Sequence, residues 1–328
     1  MGKKVYMTML ILLLIPALQT STRAMATLYV DPPTAVTSVG GTFSVNITVS
    51  DVIDLAGWEF RLYYLSSNLN GTNVEEGPLL KEGGSTYFAA INFTDDYNST
   101  HGLAWVTCAL LNGSGVNGDG TLAVVTFEAK QLGISDLSLT DTLLSDSESI
   151  PHIALNGIVY ILPHDVAITN VIPSKTIVGQ GLTAKIDVSV LNEGNFTETF
   201  NVTVYANTTA IEPQTVNSMP NGTSTILTFT WNTTGFSHAY TISANATILP
   251  GEIDIADNTR TNGIVKVSCL GDLNGDYITD GQDYQLVKRA VPSSPGSPRW
   301  NPNADLNDDG IVDGQDFQIV KNNIPSHI

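Results

Sequence analysis

The sequence predicts a mostly β chain: two β-sandwiches in tandem, then a small helical module built on a repeated acidic loop. Three observations predict it. Apolar and polar residues alternate in short runs from Thr27 to about Ser268, separated by turn signals. The chain has 328 residues, which is too long for one ordinary core and allows roughly two or three domains of about 100 to 150 residues. Near the C-terminus an acidic dozen is written twice, "DLNGDYITDGQD" from Asp272 to Asp283 and "DLNDDGIVDGQD" from Asp305 to Asp316.

Residues 1–26, MGKKVYMTMLILLLIPALQTSTRAMA, join two lysines to an apolar run from Val5 to Leu18 and then small residues. That is the pattern of a secretory signal peptide. The run is shorter than the roughly 18 to 20 residues a spanning helix needs, and nothing later could cross a bilayer. The mature protein is therefore expected outside the cell, associated with its surface. A formal charge of −18 with only 14 Lys and Arg argues against nucleic acid and anionic membranes as partners. Cations are the natural partners. Asn-x-Ser/Thr sequons at Asn46, Asn70, Asn92, Asn98, Asn112, Asn195, Asn201, Asn207, Asn221, Asn232 and Asn245 suit a glycoprotein. Cys108 and Cys269 fall in different predicted domains, and the sequence leaves open whether they pair or stay as separate thiols.

The first domain, 27–163, puts Phe43, Val45, Ile47 and Val49 on one strand face, as it does Trp58, Phe60, Leu62 and Tyr64, and again Ala123, Val125, Phe127 and Ala129. Gly40-Gly41, Gly83-Gly84 and "NGDG" at Asn117 to Gly120 mark turns between strands. Many short strands over this length make a sandwich with its own core. "LYVDPP", "LAGWEFRLYY", "GDGTLAVVTFEA" and "LTDTLLSDSESIPHIALNGIVYI" together resemble a cohesin domain. The resemblance implies a jelly-roll sandwich that receives dockerins in cell-surface and cellulosomal systems.

The second domain, 164–268, restarts the pattern with "DVAITNVIPSKTIVGQGLTAKIDVSVLNEGNFTETFNVTVYAN". Val188, Val190, Val202 and Val204 fit strand cores, and "LNEGN" with the later "LTFTW" supplies the turn and core-Trp landmarks of an immunoglobulin-like sandwich. The stretch, closing on "DIADNT" and "GIVKVS", is similar to the adhesion-related CARDB family, which implies a spacer or adhesive unit.

The third domain, 269–328, holds the two repeats, separated by the proline-dense connector "VPSSPGSPRWNPN". A calcium loop needs oxygen ligands at positions 1, 3, 5, 7, 9 and 12 and a sharp bend at position 6. The second copy supplies Asp305, Asn307, Asp309, the carbonyl of Ile311, Asp313 and Asp316, with Gly310 at the bend. The first supplies Asp272, Asn274, Asp276, the carbonyl of Ile278, Asp280 and Asp283, but carries Tyr277 at the bend. If the bend requires positive φ, a bulky residue there costs on the order of 1 to 2 kcal/mol, which weakens the site roughly five- to thirty-fold. Two Ca2+ ions are expected, the first held more loosely. After each loop, Tyr284/Val287 and Phe317/Val320 stand three apart and place short amphipathic helices against a shared small core. So small a core needs the ions to fold, and without them the segment is expected to be largely unfolded.

The paired loop-helix units resemble a type I dockerin, the module that binds cohesins. The resemblance implies partner contacts at loop positions 10 and 11, Gly281-Gln282 and Gly314-Gln315, and on the helices at Lys288, Arg289, Lys321 and Asn322. Many dockerins carry Ser-Thr where this chain has Gly-Gln, which leaves the partner's identity open.

The combined reading is a non-catalytic assembly protein, with a cohesin-bearing partner for the dockerin and a dockerin-bearing partner for the cohesin-like domain. Self-association stays open. The alternative is polysaccharide binding by the first sandwich, with Trp58 or Trp105 stacking on sugar rings; the strand alternation favours burial of Trp58. Hydrolase chemistry has no support, because HExxH and G-x-S-x-G are absent and the five histidines are scattered.

Overall fold

The computed structural model describes residues 25–327, so the expected leader lies outside the described residues up to position 24. Ala26, assigned to that leader by its small-residue pattern, begins the first strand and is buried.

The first sandwich contains β1 (Ala26–Asp31), β2 (Thr34–Ser38), β3 (Thr42–Leu55), β4 (Gly57–Leu65), β5 (Leu69–Glu76), β6 (Thr86–Thr94), β7 (His101–Leu110), β8 (Val116–Ala129), β9 (Gly133–Ser145), β10 (His152–Leu155) and β11 (Gly157–Leu162). One sheet runs β10-β1-β3-β8-β5 and the facing one β2-β11-β9-β4-β7-β6. Period-two alternation decides which side of each strand is inward: Trp58, Phe60, Leu62 and Tyr64 of β4 and Ala123, Val125, Phe127 and Ala129 of β8 are all buried in one core. Phe43, at the edge of the predicted face on β3, is partly buried and stacks on Phe127 with ring centroids 5.6 Å apart.

The second sandwich contains β12 (Val166–Pro173), β13 (Ile177–Gly179), β14 (Thr183–Asn192), β15 (Glu198–Ala206), β16 (Thr209–Met219), β17 (Ser224–Asn232), β18 (His238–Ala246) and β19 (Thr259–Ser268). Its sheets run β12-β14-β17 and β13-β19-β18-β15-β16. Val188, Val190, Val202 and Val204 are fully buried, and Trp231 is the core tryptophan, packed edge-on by Phe236 and Tyr240.

Next come the paired segment β20 (Ile278–Thr279), helices α1 (Gly281–Ala290) and α2 (Gly314–Asn322), and β21 (Ser326–His327), which pairs with β20. Their small core gathers Leu273, Val287, Ala290, Ala304, Leu306, Val312 and Val320, with the Tyr284 and Phe317 rings 4.7 Å apart over it. Cys108 and Cys269 are both buried and free, Cys108 within the core of the first sandwich. Burial pushes the Cys108 thiol up to about 12, with Glu76 beside it adding to the shift.

Candidate calcium loops and docking faces

Each acidic repeat folds around its first aspartate. The amides of Asn274, Gly275 and Tyr277 donate to the Asp272 carboxylate at 3.1, 2.7 and 2.9 Å. In the second repeat the amides of Asp309 and Gly310 donate to Asp305 at 3.2 and 3.0 Å. Position 12 closes the loop from the other side: Asp283 accepts from the Leu273 and Asp280 amides at 2.8 and 2.9 Å, and Asp316 from those of Leu306 and Asp313 at 2.8 and 2.9 Å. The bend needs the left-handed region in both copies, with φ of 71° at Tyr277 and 82° at Gly310. The condition for strain at Tyr277 is therefore met.

Helix formation is tied to the same aspartates. Asp280 and Asp313, at loop position 9, are the N-caps of α1 and α2, and Asp283 and Asp316, at position 12, complete a reciprocal capping box with them. The spacing D-x-x-D before an apolar run is itself a helix-start signal that could have been read from the sequence. The repeat also runs further than its acidic dozen. Val291-Pro292-Ser293 and Ile324-Pro325-Ser326 follow α1 and α2 at the same interval, Ser293 pairing with Val312 of the second loop and Ser326 with Thr279 of the first. Each half thus clips its tail onto the other half's loop, a two-fold relation that the acid spacing alone does not reveal.

The electrostatics fit a divalent cation. Asp272, Asp283, Asp305 and Asp316 are at most 4% exposed. Desolvation by burial holds the Asp283 and Asp305 carboxyls above the ordinary carboxylate range, a cost that a cation removes. Among the described residues no three His, Cys, Asp or Glu side chains close on one point. A shell here therefore needs the amide oxygens of Asn274 and Asn307 and the carbonyls of Ile278 and Ile311 beside the carboxylates, the hard-oxygen mixture calcium takes. Asn274 and Asn307 each donate the amide nitrogen to the position-5 carboxylate, Asp276 at 2.9 Å and Asp309 at 2.8 Å, and accept that residue's backbone amide on Oδ1 at 2.9 and 3.3 Å.

Gln282, Lys288, Arg289, Gln315, Lys321 and Asn322 are all exposed on the two helices. The loops' opposite side meets the second sandwich.

A second face was not singled out in the sequence. On the outer side of the first sandwich, Arg61 of β4 lies between Trp105 of β7 and Thr140 of β9, and Glu59 between Thr107 and Leu143. The Arg61 guanidinium sits 4.3 Å over the Trp105 ring and bonds Asp141 at 2.6 Å, while the indole N–H of Trp105 donates to Glu59 at 2.8 Å. Tyr63 packs edge-on against Tyr97, and Tyr87, Ile91 and Leu143 stand exposed on β6 and β9. Aromatic, aliphatic and Arg side chains with little flexible charge make a face suited to another protein. Trp58, by contrast, is in the core at 2% exposure, stacked on Phe60.

Family models match three consecutive stretches: a cohesin domain over 28–160, CARDB over 164–262 and a dockerin type I domain over 270–325. The chain carries a cohesin, a CARDB module and a type I dockerin, in that order. Cohesin and dockerin domains are non-catalytic interaction modules, and dockerins of this type bind calcium. No curated protein matches the chain. Solved structures similar to it include a non-cellulosomal cohesin from Archaeoglobus fulgidus, at 21% identity over 42% of this chain and 91% of that one with a TM-score of 0.35. Others are the cohesin CaCohA2 from Clostridium acetobutylicum, at 20% over 42% and 92% with a TM-score of 0.34, and a type I cohesin–dockerin complex from Clostridium thermocellum, at 17% over 42% and 93% with a TM-score of 0.35. Among the described residues no helix is long and apolar enough to cross a membrane.

Proposed function

We propose that this chain is an extracellular connector that plugs into one protein and receives another. The dockerin binds two Ca2+ ions through Asp272, Asn274, Asp276, the Ile278 carbonyl, Asp280 and Asp283, and through Asp305, Asn307, Asp309, the Ile311 carbonyl, Asp313 and Asp316. The carrying observation is the burial of four aspartates in two like-folded loops with only backbone amides and one serine hydroxyl donating to them. Loaded with calcium, the module presents Gln282, Lys288, Arg289, Gln315, Lys321 and Asn322 to a cohesin-bearing partner. The cohesin receives a dockerin on the sheet face carrying Tyr63, Tyr87, Arg61, Trp105 and Leu143, whose composition supports a protein ligand. Trp58 is internal and offers a sugar ring no platform, and Arg61 covers one face of Trp105.

Light scattering of the mature chain in calcium and in chelator, with calcium uptake followed by calorimetry, tests the reading. Uptake of two ions and calcium-dependent capture of a cohesin-bearing protein, both lost in Asp283→Ala/Asp316→Ala, support it; growth of the chain's own particle in calcium identifies a second copy as a partner. A chain that takes up no ion at millimolar calcium overturns it.

A further inference from the structure

Both calcium loops rest on the CARDB sandwich, the second against Lys175 and Lys185 and the first against Lys266. Lys175, between β12 and β13, is only 5% exposed; its ammonium donates to the Asp305 carbonyl and lies 3.3 Å from the Asp308 carboxylate. Lys185 of β14 reaches the same Asp308 at 3.7 Å. At the first loop, Lys266 of β19 donates to the Gly275 carbonyl at 2.7 Å and stands 5.5 Å from the Tyr277 ring centroid. His238 of β18 brackets that ring from a centroid distance of 5.5 Å. Between the two lysines, the backbone amides of Thr176 and Ile177 both donate to Asn303 Oδ1, at 3.0 and 3.1 Å. The approach is close: a Cβ on Gly275 would lie 2.9 Å from Lys266 Cδ and 3.1 Å from Ile177 Cδ1.

We propose that the CARDB sandwich is the outer half of both calcium sites, a brace that Lys175 and Lys266 fasten to the loops, and that Tyr277 occupies the first bend because its ring is the anchor on the brace. The inference rests on the calcium reading of the loops. It explains a residue that loop geometry alone makes a defect: the left-handed bend disfavours Tyr277, and the Lys266 and His238 contacts offset part of that cost. The lysines hold the carbonyls of loop positions 1 and 4, which the ligand pattern does not use, so they order the loop without competing for the ion. A buried ammonium that keeps its carbonyl and carboxylate partners stabilises the arrangement, and a lost partner is costly. Ion binding and docking of the module onto the sandwich are then linked, each favouring the other by the same factor.

The test is hydrogen exchange on the full chain, with the first sandwich as internal control. The Thr176 and Ile177 amides are the reporters, because their acceptor, Asn303 Oδ1, belongs to the dockerin. In the wild type, chelation should speed exchange over 174–179 by on the order of tenfold or more. Lys175→Met/Lys266→Met should speed the same segment with calcium present and weaken calcium binding by on the order of tenfold, the worth of a charge-assisted hydrogen bond. Tyr277→Gly should also loosen 174–179 although it relieves the bend. Exchange indifferent to calcium and to all three substitutions overturns the brace, as does tighter calcium binding by the lysine variant, which is what mere charge repulsion would give. If the wild type takes up no calcium, the cages themselves fail; normal uptake with indifferent exchange leaves the cages standing and removes only the coupling.

Discussion

The first sandwich and the dockerin bury opposite kinds of side chain. At the centre of the sandwich lie Phe60, Leu62, Tyr64 and Phe127, all fully buried. At the centre of the dockerin, beside Val287 and Val320, lie Asp283 and Asp316, also fully buried. Hydrocarbon burial is favourable in any aqueous medium, whereas a buried carboxylate is favourable only with a partner charge. One domain is stable by composition and the other on condition.

The sharpest way to break that contrast is to remove the condition. Chelation should abolish the helical signal of 269–328 and leave the unfolding temperature of the first sandwich unchanged, as read by circular dichroism and calorimetry on the same sample. A dockerin as ordered in chelator as in calcium would mean that the brace, not the ion, holds it. The converse perturbation is Phe127→Ala, which removes a ring packed against Tyr64 and Phe43 at centroid distances of 4.9 and 5.6 Å. It should cost the first sandwich about 3 to 5 kcal/mol, measured by denaturant unfolding, and leave calcium affinity untouched.

The same contrast explains what was legible in advance. Period-two alternation is a local signal, so the buried faces of β4, β8, β14 and β15 could be named residue by residue from the chain. Loop spacing is also local, and it named every candidate ligand. What could not be read were relations between distant segments. Lys175 meeting Asp308, Thr176 and Ile177 sharing Asn303, and Arg61 lying over Trp105 depend on how strands are ordered in a sheet and how domains meet. Nothing in "PSKTIVG" or "EFRLYY" sets those residues apart from lysines and arginines that face solvent. The expected spacer role of the second domain leaves these contacts out: β13, β18 and β19 reach the dockerin directly.

A smaller effect separates the two halves of the dockerin itself. With φ of 71° at Tyr277 and 82° at Gly310, the first bend carries a strain on the order of 1 to 2 kcal/mol; at position 4 the relation reverses, with Gly275 at 73° in the first loop and Asp308 at 61° in the second, a conformation that Asp tolerates better than Tyr. Stepwise calcium titration should therefore resolve a first loop weaker than the second, by less than the roughly five- to thirty-fold that the bend alone would cost, with site assignment from Asp283→Ala and Asp316→Ala singly. Equal affinities in the wild type would show that the Lys266 and His238 contacts repay the bend in full.

The CARDB sandwich sits between the extremes, and its last corner sharpens the comparison most finely. Its core is hydrocarbon, yet Asp165 Oδ1 and Asp257 Oδ1 are buried without a partner. Desolvation first, and then the charges of Asp257, Glu193, Glu252 and Asp254, push the Asp165 carboxyl up to about 6; desolvation likewise raises Asp257. Among the described residues no lysine is bonded to this corner as Lys175 and Lys266 are bonded to the loops. A raised carboxyl binds its proton more tightly in the folded state than in the unfolded one, so its contribution is fully present below about 3.9 and is lost as pH rises through about 6. The CARDB transition, followed in saturating calcium, should therefore fall in temperature between pH 4.5 and 7.5 in a step that Asp165→Asn removes. The amide is neutral and is not repelled by the acids around it, so the variant should melt about 2 to 6 °C higher than the wild type at pH 7.5 and with little difference at pH 4.5. A variant that melts lower at both pH values would show that the ionised carboxylate stabilises this corner, and the ordering of the three domains by how they house their acids would fail at its middle member.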